Sequence, residues 1–519
     1  MKLRSSFRNT HNGGFKVHDR SDPVRAIVFR GKSGIAYHTG VREFGPSLYT
    51  IWPSSEHTQE VLIHVLTHFR QSYMLAVVPA VVEDVVATVK VAREYGIHFA
   101  ARSGHHCVTT SMRHLENGVL IDMRRFKSMA LDREGSGEDV AKTEFSVTVG
   151  GGTITDDFVR FLHDNKLEVT VGSCPTTGII GVAFGAGLGR LQGKYGYLHD
   201  NLISCRLVLA DGSIVDVSKD SHPDLFWAIR GAGHNFGIAV DATFRVYPQA
   251  HQGLHYSWDL EYSLEQCENV IETVNRVHAT MPPDLAIFLL WKRESAGGHK
   301  NMILVNLVWS GAEADADHWL QEFARLGPVI SSGKVTADWP SLPWETYGGQ
   351  NKVLSIPGVW KIRPWKMMNA VSVKTFDPKA TKAFFERTKE LNEKWKGKGV
   401  FGAMFECLPT HRTREIPDDA TAFPWRNGSD HFLMMTATPF DMDDRDEFEA
   451  HLDEWKAKFT EVSGYGRLHQ YVNYGNTTTT CQDPPEALYG YEPWRLDKLR
   501  ALKAQYDPQN AFQFYQPII

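Results

Sequence analysis

A glycine-dense tract in the first half of the chain most constrains its fold. Eight glycines lie between Gly172 and Gly196, and the tract opens with the sequence Gly-Ser-Cys-Pro-Thr-Thr-Gly. Glycine lets the backbone take unusual conformations and approach another surface closely, so this tract favours binding of a large flat or anionic ligand. A set of tight turns without any ligand is the alternative interpretation.

The tract does not carry the dinucleotide fingerprint of a Rossmann fold. In residues 185–189 the third glycine comes one residue early, and Arg190 stands at the fingerprint position. The acidic residue at a suitable distance, Asp211, is predicted to form a tight hairpin turn with Gly212. We therefore expect no nicotinamide cofactor in a Rossmann site.

A second group of chemically versatile residues follows a predicted strand at residues 97–101. Backbone N–H groups in a turn of small residues can hold an anion, as phosphate-binding loops do. Adjacent histidines on an extended chain point in opposite directions, so we expect no metal ion here. Purely structural histidines are the alternative. The run is Arg102-Ser103-Gly104-His105-His106-Cys107.

Composition excludes several classes of function. The 519 residues include 56 lysines and arginines against 61 acidic residues, so neither a nucleic-acid surface nor a basic membrane surface is expected. The longest apolar stretch, residues 74–82, is far shorter than the roughly 20 residues that a spanning helix needs. The first twelve residues lack the apolar core of a signal peptide. We expect an intracellular, cytoplasmic protein whose six cysteines are reduced.

Secondary-structure patterns divide the chain into two lobes. Helical and extended patterns alternate up to about residue 250, beginning with valines at helical spacing after Pro79 and a stop at Gly96. The following stretch is rich in tryptophan and ends in an apolar helix stripe. The predicted units are an N-terminal extension at 1–70, a first lobe at 71–250, a second lobe at 251–465 and a C-terminal segment at 466–519 that returns to the first lobe.

Two further segments have both a chemical and a structural interpretation. Residues 225–237 have the pattern of a short helix followed by a glycine turn, which a packed helix end also explains. Residues 471–474 contain two tyrosines. On a strand, Tyr471 and Asn473 would share one face and Tyr474 would lie on the other. Tyrosines in such a segment are more often part of a core than catalytic.

Taken together and in this order, these motifs resemble the FAD-linked oxidases of the berberine-bridge-enzyme-like group in the vanillyl-alcohol-oxidase superfamily. The resemblance covers residues 70–250 and 466–519 well, and the middle of the chain more weakly. The matching pieces are Arg102-Ser103-Gly104-His105-His106, Leu120-Ile121-Asp122, Cys174-Pro175-Thr176-Thr177-Gly178, Lys194-Tyr195-Gly196, Asp200-Asn201, Asp211-Gly212, the run from Phe226-Trp227-Ala228 to Gly237, Ala422-Phe423-Pro424-Trp425-Arg426, the segment from Tyr471 to Tyr474, and Tyr506-Asp507-Pro508 with Phe512.

The resemblance implies an α+β fold and an FAD cofactor. A two-subdomain FAD-binding lobe of the PCMH type would join an antiparallel-sheet substrate lobe that is backed by helices. The FAD would be attached covalently at His106 and also at Cys174, since a nucleophilic imidazole or thiolate can form such bonds. The loop at 102–105 would hold the pyrophosphate. The residues implied to bind the cofactor are Arg102, Ser103, Gly104, His105, His106, Cys107, Cys174, Thr177, Gly178, Gly181, Asn201, Gly237, Ile238, Tyr471 and Asn473.

The resemblance also implies a catalytic base. Tyr474 matches the family's common base, and Tyr195 and Glu406 are the alternatives. A phenol has a pKa near 10, which a positive charge or hydrogen bonds must lower before the phenol can act near neutrality. Thr177 lies where the family tunes oxygen access, and its size predicts that oxygen reaches the reduced flavin.

Departures from the family pattern concentrate on the substrate side. His105 stands where the family has the second glycine of a pair, whereas residues 408–411, Leu-Pro-Thr-His, replace two glycines after Glu406. The predicted strand at 431–438 contains no carboxylate, although some members place one there. The flavin site is therefore expected to be kept, while substrate class and catalytic base stay open.

The expected function is that of an FAD-linked oxidase. It would remove a hydride from a C–H bond of a small organic substrate of specialised metabolism, by alcohol oxidation or oxidative cyclisation, with oxygen as acceptor and hydrogen peroxide as product. A carbohydrate oxidase of the same family and an FAD-scaffolded cyclase without net redox chemistry are the alternatives. The expected partners are the small-molecule substrate and molecular oxygen, with no nucleic acid and no membrane.

Overall fold

Three β-sheets organise the part of the chain that the computed structural model describes. That part comprises residues 49–50, 73–107, 109–134, 144–294, 298, 300–355, 367–427, 431–475, 478 and 482–518. The predicted N-terminal extension at 1–70 lies outside it, apart from Tyr49–Thr50. The strands, in chain order, are β1 (Tyr49–Thr50), β2 (Tyr73–Val77), β3 (Phe99–Arg102), β4 (Gly118–Asp122), β5 (Met129–Glu134), β6 (Glu144–Gly150), β7 (Leu167–Glu168), β8 (Leu202–Val208), β9 (Ile214–Ser218), β10 (Ile238–Pro248), β11 (Leu254–Tyr262), β12 (Leu285–Glu294), β13 (Lys300–Trp309), β14 (Ile330–Ser331), β15 (Val335–Asp338), β16 (Met367–Val373), β17 (Gly399–Cys407) and β18 (His431–Pro439).

Helices connect and cover these sheets. The α-helices, in chain order, are α1 (Val82–Glu94), α2 (Thr155–Asp164), α3 (Ile179–Gly185), α4 (Gln192–Tyr195), α5 (Pro223–Ala232), α6 (Cys267–His278), α7 (Glu313–Ala324), α8 (Leu342–Glu345), α9 (Gln350–Leu354), α10 (Pro378–Lys394), α11 (His411–Glu415), α12 (Arg445–Glu461), α13 (Pro485–Tyr489) and α14 (Pro493–Tyr506). Short 3-10 helices lie at Thr110–His114, Met123–Arg125, Leu198–Asn201, Gly233–Asn235, Ala250–Gly253, Leu264–Gln266, Tyr347–Gly349, Met442–Asp444 and Val472–Tyr474. Among the described residues, no helix is both long and apolar enough to cross a membrane.

The first sheet is parallel, with the strand order β1-β2-β4-β3. Helix α1 covers it because Val85 and Val89, four residues apart, share one helix face and are fully buried against Phe99. The helix ends before Gly96, which has a φ of +63°. The helix and its stop are as the valine spacing predicts. Strand β3 lies at the edge of this sheet, and residues 102–107 lie at its C-terminal end.

The second sheet is antiparallel, with the order β5-β6-β10-β8-β9 and with β7 paired to β10. The predicted hairpin is present as β8 and β9. Its turn contains Gly212 at a φ of +78°, and an Asp211 carboxylate oxygen accepts a hydrogen bond from the Ser213 backbone N–H at 2.8 Å. The glycine-dense tract leads from the neighbourhood of β7 into this sheet.

The third sheet is antiparallel and has the order β14-β11-β13-β12-β17-β18-β16, with β15 on β11. Its two faces have different neighbours. Helices α6, α7, α10 and α12 pack their apolar sides on one face, while Phe288 and Phe432 on the other face join the core of the first lobe. The predicted α+β fold, with an antiparallel sheet backed by helices, is confirmed.

The end of the chain packs against the first lobe. Leu496 and Leu499 on α14 are buried in its core, and the ring of Phe512 meets that of Phe99 edge-on at 5.5 Å. Residues 472–474 form a 3-10 helix rather than the strand considered for this segment, and the Tyr474 N–H donates to the Tyr471 carbonyl at 2.8 Å. The alternation expected for a strand is therefore wrong there.

Candidate active site

A row of three side chains crosses the third sheet on the face that meets the first lobe. Glu406 on β17 is paired with Phe288 on β12 and with Phe432 on β18. Residues directly opposite one another in antiparallel strands place their side chains on the same face. The row thus puts one carboxylate between two apolar rings, and Glu406 is only 4% exposed.

Tyr474 lies over this carboxylate. Its hydroxyl is 3.4 Å and 3.5 Å from the two carboxylate oxygens of Glu406, and its ring meets that of Tyr471 edge-on at 4.9 Å. Asn473 anchors the segment by donating to the Val182 carbonyl at 3.1 Å. A Cβ on Gly185 would lie 2.2 Å from the Asn473 side-chain oxygen, so this close approach requires glycine.

Burial decides how the pair titrates. It raises the pKa of Glu406 to about 7, against the opposing effects of the Tyr474 hydrogen bond and the Arg190 charge. Burial, followed by the charge of Glu406, raises the pKa of Tyr474 well above its usual value. A tyrosine that acts as a base near neutrality needs a lowered pKa, whereas these surroundings raise the pKa of Tyr474. Glu406 is the member of the pair that titrates near neutrality.

Tyr195, the other tyrosine considered as a base, is engaged elsewhere. Its hydroxyl donates to Glu168 at 2.6 Å, and its ring stacks on Tyr247 at 4.3 Å. Burial and the Glu168 charge raise its pKa. Asn201 holds this loop in place, since its amide N–H₂ donates to the Tyr195 carbonyl at 2.9 Å and its oxygen accepts from the Tyr247 hydroxyl at 2.9 Å.

The two residues predicted to hold the flavin meet around one threonine. His106 Nε2 lies 2.7 Å from the Thr176 hydroxyl, and Cys174 Sγ lies 3.5 Å from the same oxygen. His106 is exposed and Cys174 is half-buried. The neighbouring Thr177 donates to the Cys174 carbonyl at 3.0 Å. Both side chains can therefore reach the same end of one ligand.

Glycines allow the two loops to touch. A Cβ on Gly104 would lie 2.3 Å from the Gly178 nitrogen, and a Cβ on Gly178 would lie 2.6 Å from Ser103 Oγ. His105 has a φ of +61°, in the left-handed region that favours the glycine found there in the family. Cys107 turns inward instead, and burial raises the pKa of its thiol to about 12.

The loop at 102–107 leaves hydrogen-bond donors for a ligand. Arg102 pairs with Asp122 at 2.7 Å, yet its Nη1 atom and the Ser103 hydroxyl are buried without a partner in the described chain. Gly181 borders open space, with no atom within 4 Å of a Cβ placed on it. Unpaired buried donors beside a glycine cradle fit an extended anionic cofactor. Gly237 and Ile238 lie at the start of β10, where Ile238 pairs with Val208.

Sequence reasoning missed Arg190 as a site residue. The side chain is 7% exposed, its Nη2 atom donates to the Tyr347 hydroxyl at 2.5 Å, and its guanidinium lies 5.1 Å from the centre of the Phe288 ring. In the sequence, Arg190 stands out only because it interrupts the dinucleotide-binding glycine pattern. The one available signal is a charged residue inside a tract of glycine and apolar residues.

Residue types that can bind metals also meet on the opposite face of the third sheet. Ligand atoms of His278, Cys407 and His431 lie within 4.8 Å of one another. The two histidine rings are in edge-on contact at 4.2 Å, and Phe376 stacks on His431 at 4.4 Å. This is the geometry of a packed aromatic cluster, and the expectation of no metal stays a prediction.

Two family models match this chain, one in the first lobe and one in the C-terminal segment. Residues 74–218 match a family described as FAD binding domain, and residues 470–519 match one described as berberine and berberine like. The FAD-linked oxidoreductase alt4 of Alternaria solani is 57% identical over 450 residues, covering 87% of this chain and 89% of that protein. The FAD-linked oxidoreductase srdI of Neurospora crassa is 31% identical over 450 residues, covering 86% and 85%.

Solved structures share the fold. A xylooligosaccharide oxidase from Myceliophthora thermophila C1 has a TM-score of 0.72 at 22% identity, covering 90% of this chain and 96% of that one. A glucooligosaccharide oxidase from Acremonium strictum with a 6-S-cysteinyl, 8α-N1-histidyl FAD has a TM-score of 0.72 at 21% identity, with the same coverage. The predicted family and the FAD cofactor are confirmed: the chain belongs to the berberine-like FAD-linked oxidoreductases.

Proposed function

We propose that the protein is an oxidase that removes a hydride from a C–H bond of a small organic substrate of specialised metabolism. The reaction is an alcohol oxidation or an oxidative cyclisation, with oxygen as the electron acceptor and hydrogen peroxide as the product. The buried Glu406–Tyr474 pair carries this proposal, because it places a buried carboxyl group 3.4 Å from a phenol hydroxyl, where a proton can be accepted. FAD supplies the hydride acceptor when bound.

The pair manages the proton that must leave when the hydride leaves. A substrate hydroxyl, or another acidic group, gives its proton to Glu406, either directly or through the Tyr474 hydroxyl at 3.4 Å. A carboxylate with a pKa of about 7 is well matched to this task at neutral pH. The flanking Phe288 and Phe432 rings favour an apolar carbon skeleton around the reacting C–H bond.

Covalent attachment of FAD at His106 and Cys174 is part of the proposal. It is supported by the shared contact of both side chains with Thr176. Purified protein is precipitated with acid, washed and digested with trypsin, and the masses of the peptides that contain His106 and Cys174 are measured by mass spectrometry. One FAD joining both peptides in a single cross-linked species is expected. His106→Ala and Cys174→Ala should each leave the FAD on the other peptide alone, and Cys205→Ala, which removes a buried thiol, should keep the cross-link. Flavin that washes out of the wild-type pellet contradicts attachment.

A peroxide-coupled screen tests the reaction itself. The panel contains apolar alcohols, polyketide and alkaloid ring-closure precursors, and cello-, xylo- and chito-oligosaccharides. We expect oxygen-dependent peroxide formation with a member of the first two groups. Turnover of oligosaccharides alone would make the protein a carbohydrate oxidase, and turnover without oxygen uptake would make it a cyclase. Dithionite-reduced enzyme should reoxidise on mixing with air, because the size of Thr177 is expected to let oxygen reach the reduced flavin.

A further inference from the structure

Arg190 brings a positive charge into the candidate active site without a carboxylate partner. Three arginines are buried in the described chain. Arg426 pairs with Asp200 at 2.5 Å and Arg495 pairs with Asp418 at 2.8 Å. Arg190 has only hydroxyl partners, at 2.5 Å and 3.4 Å, and its Nε atom is buried without any partner in the described chain.

A buried cation without a counter-charge is unfavourable, because it has lost its hydration and gained no compensating charge. The charge of Arg190 opposes the rise in the pKa of Glu406, so this carboxyl group is a candidate counter-charge. The two are not within ion-pair distance, and Glu406 is partly protonated at neutral pH because its pKa is about 7. The charge of Arg190 is thus left for a third group.

The guanidinium lies beside the row of side chains that contains Glu406. The guanidinium lies over Phe288, which is the neighbour of Glu406 in the row across the third sheet. A small cavity touches Arg190 and is also lined by Gly172 and Trp339. Tyr347 fixes the guanidinium by accepting its hydrogen bond at 2.5 Å.

We propose that Arg190, oriented by Tyr347, binds an ionised oxygen of the substrate: a carboxylate, or the enolate or phenolate of an acidic hydroxyl group. The inference rests on the proposed function and names the substrate class for the same site. The planar guanidinium can present paired N–H donors to such an oxygen. Binding would orient the reacting C–H bond, and neutralising the arginine would make Glu406 more basic.

Anion binding is measured on the oxidised, FAD-loaded enzyme through the perturbation of the flavin absorbance. Benzoate is compared with neutral benzamide for the carboxylate arm, and 4-hydroxycoumarin is compared with its neutral methyl ether for the enolate arm. We expect at least one anion to bind tenfold or more tightly than its neutral partner, since a charge-assisted hydrogen bond is roughly twice as strong as a neutral one.

Variants locate the effect. Arg190→Gln should abolish the preference with the flavin content unchanged, and Arg190→Lys should keep part of it. Arg206→Gln, which removes a half-exposed cation on β8, should keep all of it. Equal binding of anions and neutral partners by the wild type overturns the proposal. So does an Arg190→Gln variant that keeps the preference and instead lowers the flavin redox potential, since the arginine would then act on the cofactor.

No turnover is needed for this test, so its outcome is separate from that of the peroxide screen. An enzyme that prefers anions but makes no peroxide contradicts the proposed oxidase reaction and leaves the anion site standing. An enzyme that makes peroxide but shows no anion preference contradicts the anion site alone.

Discussion

Two clusters of buried charge in this protein differ in how fully their polar groups are paired. Arg426 holds Asp200 with two N–H donors and also reaches His199 at 3.2 Å and Thr421 at 3.0 Å. Around Glu406, the only carboxylate contact is the long one to Tyr474 at 3.4 Å in the described chain.

The paired cluster has a structural role. It ties residues 421–426, from the second lobe, to the turn at Leu198–Asn201 in the first lobe. Burial lowers the pKa of His199 to about 4 and keeps the ring neutral. The hydrogen bonds from His199 and Arg426, together with the Arg426 charge, outweigh burial and lower the pKa of Asp200. Its charges therefore stay fixed across the physiological range. The incompletely paired cluster, in contrast, titrates near neutrality, which suits proton transfer.

The largest effect on the rate of flavin reduction is expected when the incompletely paired cluster loses the Glu406 carboxylate. Glu406→Gln should slow anaerobic flavin reduction by about 10²–10⁴-fold, because the proton loses its acceptor. Stopped-flow absorbance with the first substrate from the peroxide screen measures this rate. Glu449→Gln, at another buried glutamate on α12, is the control and should leave the rate unchanged. A normal rate in Glu406→Gln would place the base elsewhere.

The paired cluster should respond in stability instead of rate. Arg426→Met leaves Asp200 buried without its cation, so the free energy of unfolding of the FAD-loaded enzyme should fall by about 3–5 kcal/mol. Arg206→Met, which removes a half-exposed partner of Asp241, should cost under about 1 kcal/mol. Denaturant unfolding compares the two. A similar decrease in the free energy of unfolding in both variants would show that the buried ion pair stabilises the protein no more than the half-exposed one.

A Tyr474 variant separates the role of the phenol from that of the Glu406 carboxylate. Tyr474→Phe should slow flavin reduction by about 10–100-fold, less than Glu406→Gln, because it removes one hydrogen-bonded relay and leaves the acceptor. Both variants should keep their full flavin content. A larger loss in Tyr474→Phe than in Glu406→Gln, measured in the same anaerobic experiment, would return the role of base to the tyrosine.

Local patterns predicted much of the fold and part of the site. Helix α1 and the β8–β9 hairpin follow from valine spacing and from an Asp-Gly turn, which act over a few residues. Residues 472–474 were misjudged because a tertiary contact, Asn473 against Gly185, fixes a conformation that local alternation does not encode.

The site shows the same limit. The loops that carry His106 and Cys174 could be found from their glycines, although their roles stay predictions. The meeting of Glu406 with Tyr474 depends on the register of β17 within the third sheet and on the return of the C-terminal segment. Arg190 belongs to no motif, and its position in a tract of glycine and apolar residues is a weak signal. Its lack of a carboxylate partner is seen only in the folded chain.

The most direct test of the account is the pH dependence of the stability difference between the wild type and Glu406→Gln, which needs no substrate. Burial raises the pKa of Glu406 from 4.5 to about 7, so the folded state binds this proton more tightly than the unfolded state. The stability linked to it is present below pH 4.5 and is lost as pH rises to 7.

The variant should therefore gain stability relative to the wild type across this window, up to an upper limit of about 3 kcal/mol, and the difference should be constant at higher pH. Thermal unfolding of both FAD-loaded proteins at a series of pH values gives the curve. A stability difference that does not change with pH would show that Glu406 is an ordinary carboxylate and would contradict its role as the proton acceptor.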